Sequence, residues 1–256
     1  MLLKSKIYGE GSHILVVLHG FLGMSDNWKS YSNKMTANGF KVHLIDQRNH
    51  GDSFHNENFS YEILANDLKY YVDYHNLTKF SLIGHSMGGK TAMMFSSLFQ
   101  ENIRKLIIVD ILPIYYKNDH INILKSLKSL DFNKINSRLE ADISLSKSIP
   151  DRSFRAFLLK NLFRKNNSKL AFKINLDIIY DNLSEIEKAL PSDLFFQGET
   201  LFIKGKKSNY INDKNISKIH EHFPNFKLVN ISDSGHWVHA ENLKDFVTET
   251  LNFLKS

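Results

Sequence analysis

Six short apolar runs, rich in β-branched residues, recur along this chain with room for a helix between most neighbours. They cover residues 13–18, 41–45, 80–83, 105–109, 200–203 and 226–231. Each is close to continuously apolar. A strand with one wet face alternates, whereas a strand covered on both faces does not. The intervening stretches Trp28 to Asn38, Tyr61 to His75, Lys90 to Phe99 and Leu243 to Leu254 carry helical spacing, with Ile63, Leu64, Leu68 and Tyr71 on one face of the second. Strand and helix in alternation predict right-handed βαβ units, hence an α/β fold with a doubly wound, mostly parallel sheet. Ligands of such sheets bind beyond the carboxyl ends of the strands. Leu2 to Tyr8 is expected to add an antiparallel edge strand.

The alternation lapses between Leu112 and Pro191. Amphipathic helices are predicted at 121–130, 137–145, 151–163 and 174–190, with no strong strand among them. The expected organisation is one domain over residues 1–256, with a helical cap inserted at 112–191 between two core strands. Residues 115–173 hold 13 Lys or Arg against 5 Asp or Glu, a net of +8 in a chain whose total is +6. The rest of the chain is therefore at −2. The positive cap reads first as a solvated helical surface, and in the sharper alternative as a rim that attracts anionic substrates or surfaces. Nucleic acid is not an expected partner, because the charge is confined to one segment.

There is no cysteine, which excludes disulfides, a thiol nucleophile and Cys-ligated metals. Met1 to Lys6 lacks the apolar core of a signal peptide, and no run reaches the roughly 18 apolar residues of a membrane span. A cytoplasmic protein without stable membrane insertion is the expectation.

The third apolar run leads directly into Gly84-His85-Ser86-Met87-Gly88-Gly89, and a helix-compatible stretch follows. Gly-x-Ser-x-Gly between a strand and a helix holds a serine at the apex of a tight turn as a nucleophile. Serine chemistry also needs a base, an acid that orients the base, and N–H donors for the developing oxyanion. His236, in Ser234-Gly235-His236-Trp237-Val238-His239 after the last run, is the predicted base, with His239 as the fallback. The stretch Lys204 to Tyr210 offers no carboxylate, and Asp213 comes late. One strand earlier, Ile107-Ile108-Val109 runs into Asp110, the predicted acid. The N–H of Met87 and the N–H of Phe21, in His19-Gly20-Phe21-Leu22-Gly23, are the predicted oxyanion donors. Phe21, Leu22, Met87 and Trp237 are the expected acyl pocket. Asp46 to Ser53 is expected to buttress the His19 turn, and Lys90 to be structural. No metal-ligand spacing or phosphate loop stands out, and no cofactor is required.

These strings together, with Val109-Asp110-Ile111-Leu112-Pro113 and Gly235-His236-Trp237-Val238-His239-Ala240-Glu241, resemble the α/β-hydrolase superfamily from about residue 13 to the C-terminus. Within it the chain looks most like YbfF-type bacterial esterases and thioesterases. The resemblance implies a Ser-Asp-His triad with the acid on the earlier strand, and hydrolysis of carboxylic esters or thioesters, including acyl-CoA, under a helical cap. The expected activity is a serine esterase working through an acyl-enzyme on a small-molecule ester or thioester. The alternatives are a lyase or C–C bond hydrolase on the same fold, and a non-catalytic ligand-binding protein, which would show a broken triad. Haloalkane dehalogenation is disfavoured, since Ser86 stands where that chemistry needs a carboxylate.

Overall fold

A computed structural model describes residues 1–117, 120–165 and 169–256. The core strands are β1 (Ser5–Tyr8), β2 (His13–Leu18), β3 (Phe40–Ile45), β4 (Phe80–His85) and β5 (Ile103–Val109), then β8 (Thr200–Gly205) and β9 (Phe226–Ile231). They form one seven-stranded sheet in the order β1-β3-β2-β4-β5-β8-β9. β1 pairs antiparallel with β3 at the edge, and every other pairing is parallel. The predicted runs are these strands, and β4 and β5 are almost wholly buried.

The helices α1 (Lys29–Thr36), α2 (Tyr61–Tyr74), α3 (Met87–Leu98), α9 (Ser217–His222), α10 (Val238–Glu241) and α11 (Leu243–Lys255) accompany the sheet. Two apolar cores result. One, with Leu82, Leu106 and Ile108, packs against Leu64, Leu68, Met93 and Phe95 of α2 and α3. The other, with Val17, Ile83 and Val109, packs against Trp28, Tyr31 and Phe246 on the α1 and α11 side. Alternate strand residues serve opposite cores, which explains the near-continuous apolar runs. No helix among the described residues is long and apolar enough to cross a membrane.

Between β5 and β8 lie α4 (His120–Lys128), α5 (Arg138–Leu145), α6 (Arg152–Leu159), β6 (Leu162–Lys165), β7 (Lys169–Phe172), α7 (Leu176–Asp181) and α8 (Leu183–Glu187). Two departures from the sequence reading occur here. β6 and β7 form an antiparallel two-stranded sheet where no strand was expected. The predicted helix 174–190 is two short helices that meet at Asn182. The legs of the insertion pair with each other, Tyr116 N–H to Glu187 O (2.9 Å) and Leu190 N–H to Pro113 O (3.0 Å).

A buried ion pair anchors the loop after β3. Arg48 donates through Nε and Nη2 to the two carboxylate oxygens of Asp67 on α2 (2.5 and 2.7 Å), and through Nη1 to Asn58 O (2.5 Å). Its side chain is 9% exposed and that of Asp67 13%. Removing one partner of a buried pair leaves the other uncompensated. Arg48→Ala is therefore expected to cost about 3 kcal/mol and to lower Tm by roughly 6–12 °C. Lys69→Ala, which breaks an exposed pair with Asp73, should cost less than about 1 kcal/mol. Calorimetry of both variants checks the ranking, and equal costs would contradict it.

Candidate active site

β4 runs into Ser86, and α3 begins at the next residue. Ser86 stands at φ 53°, ψ −119°, a conformation that costs a non-glycine residue about 1–3 kcal/mol. Neighbouring structure holds it there. Ser86 N–H donates to Val109 O of β5 (3.0 Å), and Lys90 N–H donates to Ser86 O (3.1 Å). The turn is tight enough to exclude side chains on both flanks. A Cβ on Gly84 would run into the backbone of Gly88 and Gly89. A Cβ on Gly88 would meet the carbonyl oxygens of His19 and Leu18, the latter at 2.7 Å.

Asp110 directly follows β5, at φ 52°, with its N–H on Ile203 O of β8 (2.8 Å). Its carboxylate is fully buried. Oδ1 accepts from Gly205 N–H (3.2 Å), while Oδ2 accepts from the Ser208 hydroxyl and from His236 Nδ1 (2.8 Å). Burial pushes Asp110 up to about 7, opposed by the Ser208 and Gly205 donors. Burial pushes His236 down to about 4, so its ring is neutral at neutral pH. An ionised carboxylate only accepts, so the proton of that ring is assigned to Nδ1 and Nε2 is left as an acceptor. The ring of Tyr210 stacks on that of His236 at 3.9 Å and 16°. His85 Nε2 donates to His236 O (2.9 Å).

Neither fallback residue reaches this arrangement. Asp213 is exposed and borders a separate depression with Lys204 and Lys206. His239 is buried and lies flat on Trp28, 3.9 Å between ring centres.

The loop after β2 approaches the same spot. Its internal turn runs from Gly23 N–H to Gly20 O (3.0 Å), leaving the Phe21 N–H outside it. Met87 opens α3, so its N–H has no carbonyl one turn back within the helix. Gln47 locks the loop to α3. Its backbone N–H donates to His19 Nε2 (3.0 Å), its amide donates to His19 O (2.8 Å), and its Oε1 accepts from Thr91 on α3 (2.9 Å). The segment 46–53 thus buttresses the His19 turn. Asn161 of the insertion donates to Leu22 O (2.8 Å) from the other side.

Ser86 and His236 face one cavity of about 260 Å³, lined also by Phe21, Leu22, Ile123, Phe154, Phe157, Tyr210 and Trp237. Phe21, Leu22 and Trp237 of the predicted pocket are thus brought together. Met87 borders a smaller space behind Ser86, beside Lys90. Ile123, Phe154 and Phe157, from α4 and α6, were not foreseen. Ser208 and Tyr210, after β8, were also not foreseen, since neither side chain is a carboxylate. Lys90 is buried with its ammonium on Lys188 O (2.5 Å) and Glu187 O (3.3 Å). It ties a leg of the insertion to α3, and burial pushes its pKa down to about 7. Among the described residues no cluster of three or more His, Asp or Glu could hold a metal ion.

A family model described as the alpha/beta hydrolase fold matches residues 13–243. A Haemophilus influenzae protein named for esterase/lipase activity is 37% identical over 93% of this chain and 81% of its own. The Danio rerio sn-1-specific diacylglycerol lipase ABHD11 is 36% identical over 96% of this chain and 80% of its own. The solved structure of a marine microorganism esterase superimposes with a TM-score of 0.95 at 41% identity, covering 98% of this chain and 99% of that one.

The turn at Ser86 generates a stability test that needs no substrate. Gly88→Ala places a methyl against two carbonyl oxygens of β2 and its loop. It is expected to cost about 1–3 kcal/mol as an overpacking substitution, which lowers Tm by roughly 2–12 °C. An unchanged Tm in a thermal melt would contradict the packing described.

Proposed function

The chain belongs to the α/β-hydrolase fold family and is a serine ester hydrolase, and on that premise we propose that Ser86, His236 and Asp110 are its catalytic triad. His236 Nε2 takes the proton of Ser86 Oγ as that oxygen attacks the acyl carbonyl. The N–H groups of Phe21 and Met87 hold the oxyanion. His236 then delivers its proton to the leaving alcohol, and the acyl group remains on Ser86. Water, activated by the same nitrogen, releases the acid and restores the serine. Asp110 fixes the orientation and tautomer of His236 and stabilises its transient positive charge. The carrying observation is the 2.8 Å contact of His236 Nδ1 with a carboxylate that also takes donors from Gly205 and Ser208.

The substrate is a small ester whose acyl limb lies among Phe21, Leu22, Phe154, Phe157 and Trp237. The esterase and lipase names of the relatives support the ester linkage. Thioesters fall within the same reading, because the same tetrahedral intermediate can expel a thiol. The cavity lining includes no Lys or Arg, which favours neutral substrates over anionic ones.

Ser86→Ala is expected to lower kcat/KM on a panel of p-nitrophenyl esters by roughly ten-thousand-fold with an unchanged circular dichroism spectrum. Asp110→Asn should cost far more than Asp213→Asn. Full activity of the Ser86 variant, or the reverse ranking of the two aspartates, would overturn the assignment.

The pH profile follows from the burial of the pair. Turnover needs ionised Asp110 and neutral His236, so kcat/KM falls as pH drops and each takes up a proton. The Ser208 hydroxyl holds the Asp110 pKa down, so its removal lets the carboxylate keep its proton to higher pH. Ser208→Ala is expected to move the acid limb upward, with a larger loss at about pH 6 than at about pH 9. A uniform loss at both would make Ser208 structural only.

A further inference from the structure

α5 is apolar on two faces. Ala141 and Leu145 are buried inward. Leu139 and Ile143, one turn apart on the outer face, are 69% and 58% exposed. A helix apolar on more than one side is ordinarily covered on all of them, so this outer ridge lacks a partner. The neighbouring hairpin extends the patch. Arg138 of α5 donates to Leu162 O of β6 (3.3 Å), and Arg164 of β6 donates to Asn136 O (3.0 Å). Between those two β6 residues, Phe163 is exposed at 36%.

The surroundings of the patch are cationic. Asp142 is paired with Arg155 (2.8 Å), while Glu140 accepts only from neutral donors, Asn136 N–H and Ser137 (both 2.9 Å), and keeps its charge; Arg138, Lys147, Arg164 and Lys165 outnumber it. Lys147, one turn beyond Ile143, and Lys165, two residues beyond Phe163, are exposed and have no ion-pair partner among the described residues. An apolar ridge set in lysines is unlike an obligate protein interface. A second copy of this chain would bring like charges face to face. An anionic lipid surface accepts both parts, the ridge among the acyl chains and the ammonium groups at the headgroups.

We propose that the α5–β6 face of the insertion docks this enzyme on anionic lipid surfaces. The proposal concerns where the enzyme works, and stands apart from the roles assigned to Ser86, Asp110 and His236.

The test is sedimentation of the full chain with phosphatidylcholine vesicles, with and without phosphatidylglycerol, at low and high salt. The wild type should bind the anionic vesicles at low salt and be released as salt rises. Leu139→Glu with Ile143→Glu should abolish binding. Lys147→Glu with Lys165→Glu should weaken it at least roughly 30-fold, since each cation near such a surface is worth about fivefold and its reversal adds repulsion. Unchanged hydrolysis of a soluble short-chain ester by both double variants reports an intact fold. Failure of the wild type to bind at low salt, or equal binding by the Leu139/Ile143 variant, would overturn the proposal. So would a concentration-dependent dimer in size-exclusion chromatography that the same variant dissolves, since the ridge would then belong to a second copy.

Discussion

A carboxylate removed completely from water must be met by donors, and Asp110 gathers three: the Gly205 amide, the Ser208 hydroxyl and the His236 ring. They come from the carboxyl ends of two adjacent strands, β8 and β9. Strand register makes that convergence reproducible. His85 pairs with Val109, Val109 with Ile203, and Gly205 with Ile231, so Ser86, Asp110, Ser208 and His236 all emerge on one rim of the sheet. An unmet charge at Asp110 would cost several kcal/mol. The loops carrying Ser208 and His236 are therefore held to the sheet by the group whose proton affinity they set.

The surroundings of Ser86 are otherwise short of charge, apart from the buried Lys90 ammonium behind it. Burial pushes His19 down to about 4 and His85 and His239 well below their ordinary value, so these rings stay neutral. Their polarity is spent on backbone carbonyls and neighbouring rings, as in His19 Nδ1 to Gly20 O (2.9 Å) and His85 Nε2 to His236 O (2.9 Å). On the cavity side of Ser86 the formal charge is thus carried by Asp110, where it meets one imidazole. Strain is concentrated at the same place, with Leu22, Ser86 and Asp110 all at positive φ. Backbone hydrogen bonds to β5 and β8 and the close approach of Gly84 and Gly88 hold Ser86 and Asp110 against relaxation.

The core was readable because its central strands β2, β3, β4, β5 and β8 are buried on both faces, a condition that writes nearly unbroken apolar runs into the sequence. Ser86, Asp110 and His236 were readable because each lies just past such a run. The insertion was harder for the same physical reason. In β6 and β7 only Leu162 and Leu170 are buried, so the hairpin leaves almost no apolar period: its first two residues fell in the end of the predicted helix 151–163 and the rest in the gap before 174–190. Ser208 escaped because a hydroxyl can support a buried carboxylate without resembling an acid. Phe154 and Phe157 read as core positions of an amphipathic helix, and only the docking of α6 over the strand ends turns them toward Ser86.

The insertion thus has two chemically distinct sides. Ile123, Phe154 and Phe157 face the cavity, while its legs are tied to α3 by Lys90 and to the loop after β2 by Asn161. The central claim is that Ser86 becomes covalently acylated. Peptide mass spectrometry after treatment with a fluorophosphonate ester tests the nucleophile this requires, since a serine so activated displaces fluoride and keeps the phosphonyl group. A single adduct on Ser86, formed much more slowly when His236 is replaced by Ala, is the expected result. An adduct on another residue, or none on the folded protein, would contradict a serine nucleophile at this turn.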